Sequence, residues 1–249
     1  MLCLKLGAGL LSMLTMLVTQ GIPVGTALPV ALNSTLDAKK DKPGEKIEAR
    51  LMQDVRLPAG EKIKAGARVI GHIVAVSKTP GGGSRMVLTF DQLTADGRTI
   101  PLVLSVRAIA DSNSVFQAQV PINALSDAES SNQWVMRQVG GETVNRRLGL
   151  VGSDYGIVGR YDDGAPWGKL TAAVEGDCSA ADGNGIEQAL WVFSTSACGL
   201  YGLEGMKLVE DGRSDPLGQI ALESTKNLHI GGGSGWFLLV VSAGPRATQ

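Results

Sequence analysis

A chain of 249 residues, 44% of them hydrophobic, can bury the core of one large all-β domain or two small ones, which excludes wholesale disorder. Lysine and arginine number 23 against 24 acidic residues, so the chain lacks the basic excess of a general nucleic-acid surface. The 33 glycines and the 4% share of aromatic residues favour many short strands joined by tight turns. We therefore expect an all-β protein with no nucleic-acid partner.

Residues 1–21 form a segment apart from the rest. Lys5 is the one charged residue in it, and an apolar run extends over residues 6–18. The run is too short for a comfortable membrane span and is typical of the core of a secretory signal peptide. An uncleaved N-terminal anchor is the alternative. We expect an exported protein, which in a bacterium would lie in the periplasm, at the outer membrane or in the extracellular space.

Two cysteines remain beyond this segment, Cys178 and Cys198. In an exported chain they most simply form a disulfide. In the chain-entropy model a loop of about 20 residues closed in this way contributes roughly 3 kcal/mol. The alternative is a pair of free buried thiols.

Apolar and polar residues alternate with a period of two from residue 27 to residue 110, with breaks at turn residues. The stretch 69–76 is apolar on both faces, which predicts a central strand. Asp96-Gly97 between two alternating runs predicts a tight hairpin. Short connections without an intervening helix indicate an antiparallel barrel or sandwich. The predicted strands are 28–32, 47–55, 69–76, 86–93 and 100–106.

Three stretches of this first part carry a family resemblance: Gly-Thr-Ala-Leu-Pro-Val-Ala-Leu-Asn-Ser-Thr-Leu at 25–36, Ile-Glu-Ala-Arg-Leu-Met-Gln-Asp-Val at 47–55 and Ile-Lys-Ala-Gly-Ala-Arg-Val-Ile-Gly at 63–71. Together they resemble the TrbI-type β-barrel domain of conjugation and type IV secretion machines. The resemblance implies a β-barrel in the bacterial envelope. It does not extend to that family's inner-membrane helix, Pro-rich spacer or helical pore-forming hairpin, so no channel function is carried over.

The rest of the chain divides at a polar stretch. Residues 111–147 show no sustained period and are predicted to be a linker or an excursion. The apolar run 236–241 predicts a closing strand that is paired on both sides. Whether the two β parts share one sheet is left open. The predicted domains are a signal peptide 1–21, a TrbI-like barrel part 22–110, the linker 111–147 and a C-terminal β-rich part 148–249 clipped by the disulfide; further predicted strands are 170–174, 206–209, 219–222 and 227–230, with a buried strand or short helix at 189–193.

The two histidines are His72 and His229. His72 shares a strand face with Ile70 and Val74, which favours a packed or hydrogen-bonded core histidine over a catalytic one. His229 precedes the glycine-rich turn 231–235, a pattern similar to an oxyanion-hole loop, but no nucleophile elbow follows it. Two distant histidines and two oxidised cysteines leave zinc without a ligand set, so we predict no metal and no cofactor.

Acidic and aromatic residues between positions 154 and 187 form the candidate binding site. Two carboxylates at a defined separation hydrolyse glycosidic bonds, which makes a secreted carbohydrate-active hydrolase one hypothesis. Ordinary turn residues are the alternative, and no catalytic residue is assigned. The candidate binding residues are Asp154, Tyr155, Asp162, Asp163, Trp167 and Glu187.

The loop around Cys178 is rich in side-chain oxygens, from Asp177, Asp182, Asn184 and Glu187. Their spacing does not match a calcium-binding loop. We interpret the loop as a solvated turn anchored by the cysteine.

We expect a non-enzymatic structural or interaction role in the periplasm or at the outer membrane, with envelope proteins or a second copy of the chain as partners. Two functions remain as alternatives: the hydrolase, and a barrel that binds a small ligand in its interior. The predicted inward-facing set is Leu28, Val30, Ile47, Leu51, Leu88 and Phe90.

Overall fold

The computed structural model describes residues 21–58, 60–122, 135–145, 149–153, 156–162, 164–173, 178–179, 183 and 185–244. Apart from Gly21, the predicted signal peptide lies outside these residues. Strands dominate the regular structure, which confirms the all-β class. The elements are β1 (Ala27–Leu32), β2 (Leu36–Asp37), β3 (Lys46–Leu51), β4 (Val55–Arg56), β5 (Lys62–Ile63), β6 (Arg68–Lys78), β7 (Ser84–Ala95), β8 (Arg98–Ala110), α1 (Ser112–Gln119), β9 (Val135–Arg137), β10 (Thr143–Asn145), β11 (Leu150–Ser153), β12 (Gly156–Asp162), β13 (Ala165–Gly168), β14 (Gln188–Ala189), β15 (Gly199–Tyr201), β16 (Met206–Asp211), β17 (Ile220–Ser224), β18 (His229–Ile230) and β19 (Gly235–Ala243).

Six antiparallel strands close into a barrel in the order β8-β19-β1-β3-β6-β7, because β7 also pairs with β8. The closing strand β19 lies between β1 and β8, so it is paired on both sides, as predicted. Closure pairs the ends of β7 and β8 next to their hairpin, over Gln92–Ala95 and Arg98–Pro101, and so removes the sheet edges at this end of the barrel. The predicted antiparallel barrel is confirmed, and strands from both ends of the chain build it.

Alternate residues of the barrel strands point inward and fill the interior with side chains. Leu28, Val30 and Leu32 of β1 are at most 3% exposed. The Trp236 ring of β19 packs edge-on against Phe90 of β7, with 5.6 Å between the ring centroids. All six residues of the predicted inward-facing set belong to this core: Leu28, Val30, Ile47, Leu51, Leu88 and Phe90.

The β7–β8 connection is the predicted tight hairpin. Asp96 and Gly97 have φ values of 49° and 73°, and two consecutive positive values are what a type I′ turn requires. Ala95 and Arg98 pair directly across the turn. The predicted central strand is also confirmed, since β6 lies between β3 and β7.

The strands β7 and β8 separate beyond this hairpin. The first half of β7 pairs with β17, whereas its last residues pair with β8. On the far side of β17 lies β16, and β15 runs parallel to the end of β8. Although β15 and β16 follow each other in the chain, each pairs with one of the described strands, and these strands leave the sheet open between them.

A second sheet is an antiparallel meander in the order β14-β13-β12-β11-β10-β9. Residues that flank it cover the outer face of β1, β8 and β19. The Phe193 and Phe237 rings stack with centroids 5.2 Å apart and an interplanar angle of 16°. Val139, Leu170 and Leu190 join the same apolar cluster. The second layer, formed by this sheet and the residues that flank it, therefore packs on the barrel.

The stretch 111–147, predicted as a linker or an excursion, supplies α1 and the strands β9 and β10. The helix begins after Asp111, whose carboxylate accepts a hydrogen bond from the Ser114 amide at 2.7 Å.

Among the described residues, no helix is both long and apolar enough to cross a membrane.

Two predictions for the second part are wrong: the strand at 170–174 and the strand or short helix at 189–193. Residues 170–173 form no strand: the Thr171 amide donates to the Thr195 carbonyl, and no ladder follows. In the stretch 189–193 only Ala189 is in a strand. A single parallel bridge between Val139 and Phe193 takes the place of a longer ladder. The Gln138 side-chain amide adds hydrogen bonds to the Leu190 and Phe193 carbonyls.

The prediction of a core histidine at position 72 is also wrong. The His72 side chain is 46% exposed, and its Nδ1 lies 2.9 Å from Oδ2 of Asp91. Val69 and Ile73 of the same strand are buried, which puts His72 on the outer face of the barrel. Period two assigns residues to two faces, but the barrel buries only the inner face at this point.

Candidate functional site

The acidic and aromatic residues predicted from the sequence meet at Arg160 of β12. Its Nη1 donates to Oδ2 of Asp162 at 2.6 Å, and its Nη2 donates to Oε2 of Glu187 at 2.8 Å. β-sheet pairing places Arg160 directly opposite Trp167 of β13. The structure therefore brings Asp162, Trp167 and Glu187 together, while Asp154, Tyr155 and Asp163 lie outside the described residues.

The Trp167 ring is covered by two cations. The Arg56 guanidinium carbon lies 5.0 Å from the ring centroid, and that of Arg160 lies 5.9 Å from it. The indole nitrogen donates to the Asp162 carbonyl at 2.9 Å, and the residue is 9% exposed. A ring held in this way is engaged in cation–π contacts rather than offered as a flat platform for a sugar.

The Arg160 guanidinium is the charge centre of this cluster. Hydrogen bonds from its nitrogens to Glu187, and then to Asp162, raise the pKa of Arg160 above its ordinary value. Both carboxylates therefore serve as counter-ions of one permanent cation. This arrangement is typical of a surface ion-pair cluster more than of a pair of catalytic carboxylates. The carbohydrate-active hydrolase stays a prediction.

The predicted disulfide is confirmed. Cys178 and Cys198 are joined with a Cα–Cα distance of 5.9 Å. The Sγ atom of Cys178 lies 3.8 Å from the Arg107 carbonyl oxygen, so the bond is held directly against β8. A disulfide is typical of proteins that work in a non-reducing environment.

Arg107 is a buried cation that the sequence analysis missed. It is 3% exposed and lies where the pairing of β8 with β19 shifts register. Its Nε donates to the Ala197 carbonyl at 2.9 Å and its Nη1 to the Ser179 carbonyl at 3.4 Å. Its Nη2 donates to the carbonyls of Thr171 and Thr195. One feature of the sequence could have indicated this buried cation: Arg107 is the single charged residue in the stretch 99–110.

A buried and a half-buried polar side chain contact the same segment. Glu142 is 1% exposed and accepts hydrogen bonds from the amide and hydroxyl of Thr195, at 2.7 and 2.6 Å. The Tyr201 hydroxyl accepts from the Cys198 amide at 3.0 Å. Burial raises the pKa of Tyr201, and the hydrogen bond from the Cys198 amide opposes that shift. Arg107, Glu142 and Tyr201 together hold the segment that carries the disulfide; we call these three residues the polar clamp.

A cleft of about 600 Å³ lies beside the disulfide, where the sheet is open between β15 and β16. Val106, Arg107 and the disulfide line one side, and the whole of β16 lines the other. Sequence patterns did not predict this cleft, because it depends on which strands pair with the two halves of β7.

His229, whose glycine-rich neighbourhood is similar to an oxyanion-hole loop, lies beside an exposed turn. The His229 side chain is 59% exposed, with its Nδ1 3.7 Å from Oδ2 of Asp37. The Gly232 amide donates to the Thr35 hydroxyl at 3.2 Å, and the Gly233 amide donates to the Leu32 carbonyl at 2.8 Å. These amides are already bound within the fold, so the turn does not present them as an oxyanion hole.

The oxygen-rich loop near Cys178 lies mostly outside the described residues, since Asp177, Asp182 and Asn184 are not among them. Within the part of the chain that is described, no group of three or more His, Cys, Asp or Glu side chains is arranged to hold a metal ion.

A scan of the chain against models of known protein families finds no match, and a search of curated proteins finds no relative.

Proposed function

We propose that this protein is an exported component of the bacterial envelope with a non-enzymatic structural or interaction role. One observation carries the proposal: the barrel interior is filled by a packed core, and a second layer is fastened onto its outer face. The polar clamp and the disulfide hold that layer in place. Such a body is suited to presenting surfaces to other proteins.

The carboxylates of the candidate site support this proposal more than the hydrolase. Asp162 and Glu187 both bind Arg160, and the Trp167 face is occupied by guanidinium groups. The filled interior likewise gives the ligand-binding barrel less support, because Phe90 and Trp236 occupy its centre.

Export is supported by two features. The disulfide fits a compartment outside the reducing cytoplasm. The stretches that resemble the TrbI-type domain lie on β1, β3 and β6, three of the six barrel strands. An envelope location agrees with both.

The native mass of the exported protein tests the proposal. We would solubilise it gently from the envelope, run it beside the soluble fraction, and identify co-migrating chains by mass spectrometry. We expect a large, discrete species with reproducible partners. A soluble monomer with nothing attached would contradict the interaction role and would direct attention to ligand and glycan screens.

A further inference from the structure

The opening between β15 and β16 has the architecture of an incomplete sheet. A turn over residues 202–205 joins the two strands, which then lead to different partners, β8 and β17. Their facing edges border the cleft of about 600 Å³. We define the β15–β16 groove as Val106, Arg107 and residues 198–200 on one wall, the six residues of β16 on the other, and residues 212–215 after β16.

The order of the lining residues shows that strand edges, and not strand faces, form the walls. All residues of β16, from Met206 to Asp211, line the groove in unbroken succession. Successive side chains of a strand point to opposite faces, so a strand can present consecutive residues to one cavity only along its edge. The edge of β16 opposite β17 has no ladder partner among the described strands. Its backbone donors and acceptors therefore face the groove.

The inner end of the groove is apolar. Leu200, Met206 and Leu208 are half-buried and pack against the barrel core. Val209 is 46% exposed and lines the groove on β16. Alternate apolar side chains of an added strand would bury apolar surface there, and this burial would favour binding.

Two charges at the groove complement a ligand of mixed charge. The cations and anions nearby are largely paired: Arg85 binds Glu210, and Arg213 binds Asp211. Lys207 of β16 and Asp215, which follows β16, both line the groove, and neither has an ion-pair partner in the described structure. An occupant with an acidic residue near Lys207 and a basic residue near Asp215 would compensate both.

We propose that the β15–β16 groove binds an extended segment of a partner polypeptide, which adds to β16 as a further strand. The edge of β16 opposite β17 would form main-chain hydrogen bonds with the segment. The apolar inner end of the groove would accept its alternate apolar side chains, and Lys207 would favour an acidic residue. This inference rests on the proposed interaction role and names the chemistry of the partner: an unfolded chain segment with alternating apolar residues and at least one acid.

A library of seven-residue random peptides displayed on phage is the probe, selected on the immobilised, oxidised full-length protein. Synthetic copies of enriched peptides are then titrated against the wild type and two variants. Val209→Glu places a charge in the groove and should weaken binding at least tenfold. Ile157→Glu changes a side chain that is 68% exposed on β12 of the second sheet, and should leave binding unchanged.

A charge exchange tests the role of Lys207. Replacing the shared acidic residue of the peptide by lysine should weaken binding to the wild type roughly two- to fivefold, the range for an exposed ion pair. Lys207→Glu should restore binding of that altered peptide. Hydrogen exchange gives a second readout, since strand addition should slow exchange of the β16 backbone amides, whereas docking of side chains alone would not.

The proposal is overturned if no peptide is enriched, or if enriched peptides bind the wild type and Val209→Glu equally. Unchanged exchange of the β16 amides on saturation overturns it as well. These failures differ from failure of the interaction role: a partner complex that survives Val209→Glu refutes the groove alone, whereas a native monomer without partners refutes the role itself.

Discussion

Arg107 joins parts of the chain that no local pattern connects. Its guanidinium binds carbonyls beside both cysteines, at Ser179 and Ala197. It also holds the Thr195 carbonyl, while Glu142 binds the amide of the same residue. Backbone groups of an irregular, buried segment need partners, and here side chains supply them in place of a ladder.

The first prediction concerns Arg107→Met, which removes the donors and keeps much of the aliphatic volume. The carbonyls of Thr195 and Ala197 then lose their partner in a buried setting, so we expect the free energy of unfolding to fall by about 3 kcal/mol or more. Urea denaturation followed by tryptophan fluorescence measures it. Arg50→Met, on the exposed face of β3, is the control and should stay within about 0.5 kcal/mol of the wild type. Equal losses in the two variants would contradict the role of Arg107.

Tyr201 gives a prediction at alkaline pH. Burial raises the pKa of its phenol, so the neutral form is the one that the fold favours. The resulting stabilisation is fully present below the unfolded pKa of about 10 and is lost as the pH rises through the folded pKa. The free energy of unfolding of the wild type should therefore fall more steeply above pH 10 than that of Tyr201→Phe. Parallel curves for the two proteins would refute this.

At the scale of elements, close approach of two strands decides which residues are tolerated. A Cβ atom on Gly71 of β6 would overlap the Thr89 carbonyl and the Phe90 ring of β7. The register of the two strands shifts next to Gly71. A glycine inside a strand often marks such a bulge or close approach, but the sequence does not show which backbone comes near.

Gly71→Ala should accordingly destabilise the barrel by about 2 kcal/mol, because backbone rather than a flexible side chain has to move. Thermal unfolding followed by circular dichroism provides the measurement. Gly231→Ala is the matched control, since a Cβ there meets nothing within 4 Å. An equal melting temperature for the two variants would contradict the role of the overlap, because Gly→Ala at an open position acts on the unfolded chain and does not destabilise the fold.

At the scale of the whole molecule, the disulfide and the polar clamp fasten the second layer to the barrel in parallel. The disulfide closes a loop with a sequence separation of 20, and that loop carries Leu190, Val192 and Phe193 onto the outer face. Arg107 binds residues adjacent to both cysteines, so the layer has a second attachment that does not depend on the redox state.

Reduction should therefore weaken the protein without unfolding it. We expect the free energy of unfolding to fall by roughly 3 kcal/mol in dithiothreitol, while the far-ultraviolet circular dichroism spectrum stays unchanged. The double variant Cys178→Ala, Cys198→Ala should match the reduced wild type and respond to reductant no further. Loss of the spectrum on reduction would show that the polar clamp alone does not hold the layer.

Much of the fold followed from local patterns. Alternation located the barrel strands, Asp96-Gly97 located the hairpin, and the apolar run before the C-terminus predicted a strand paired on both sides. The disulfide followed from counting cysteines. These features are local, because period two, positive φ at a turn and side-chain type are properties of neighbouring residues.

Other features depended on contacts between distant parts of the chain. Only the tertiary structure put β19 between β1 and β8, turned His72 to the outside and brought Arg160 between Asp162 and Glu187. It also left one edge of β16 without a partner among the described strands. Local spacing showed which residues alternate and where the chain turns. The pairing of remote strands decided which face is buried, which charges meet and which edge lacks a partner among the described strands, because those outcomes depend on partners that local spacing does not specify.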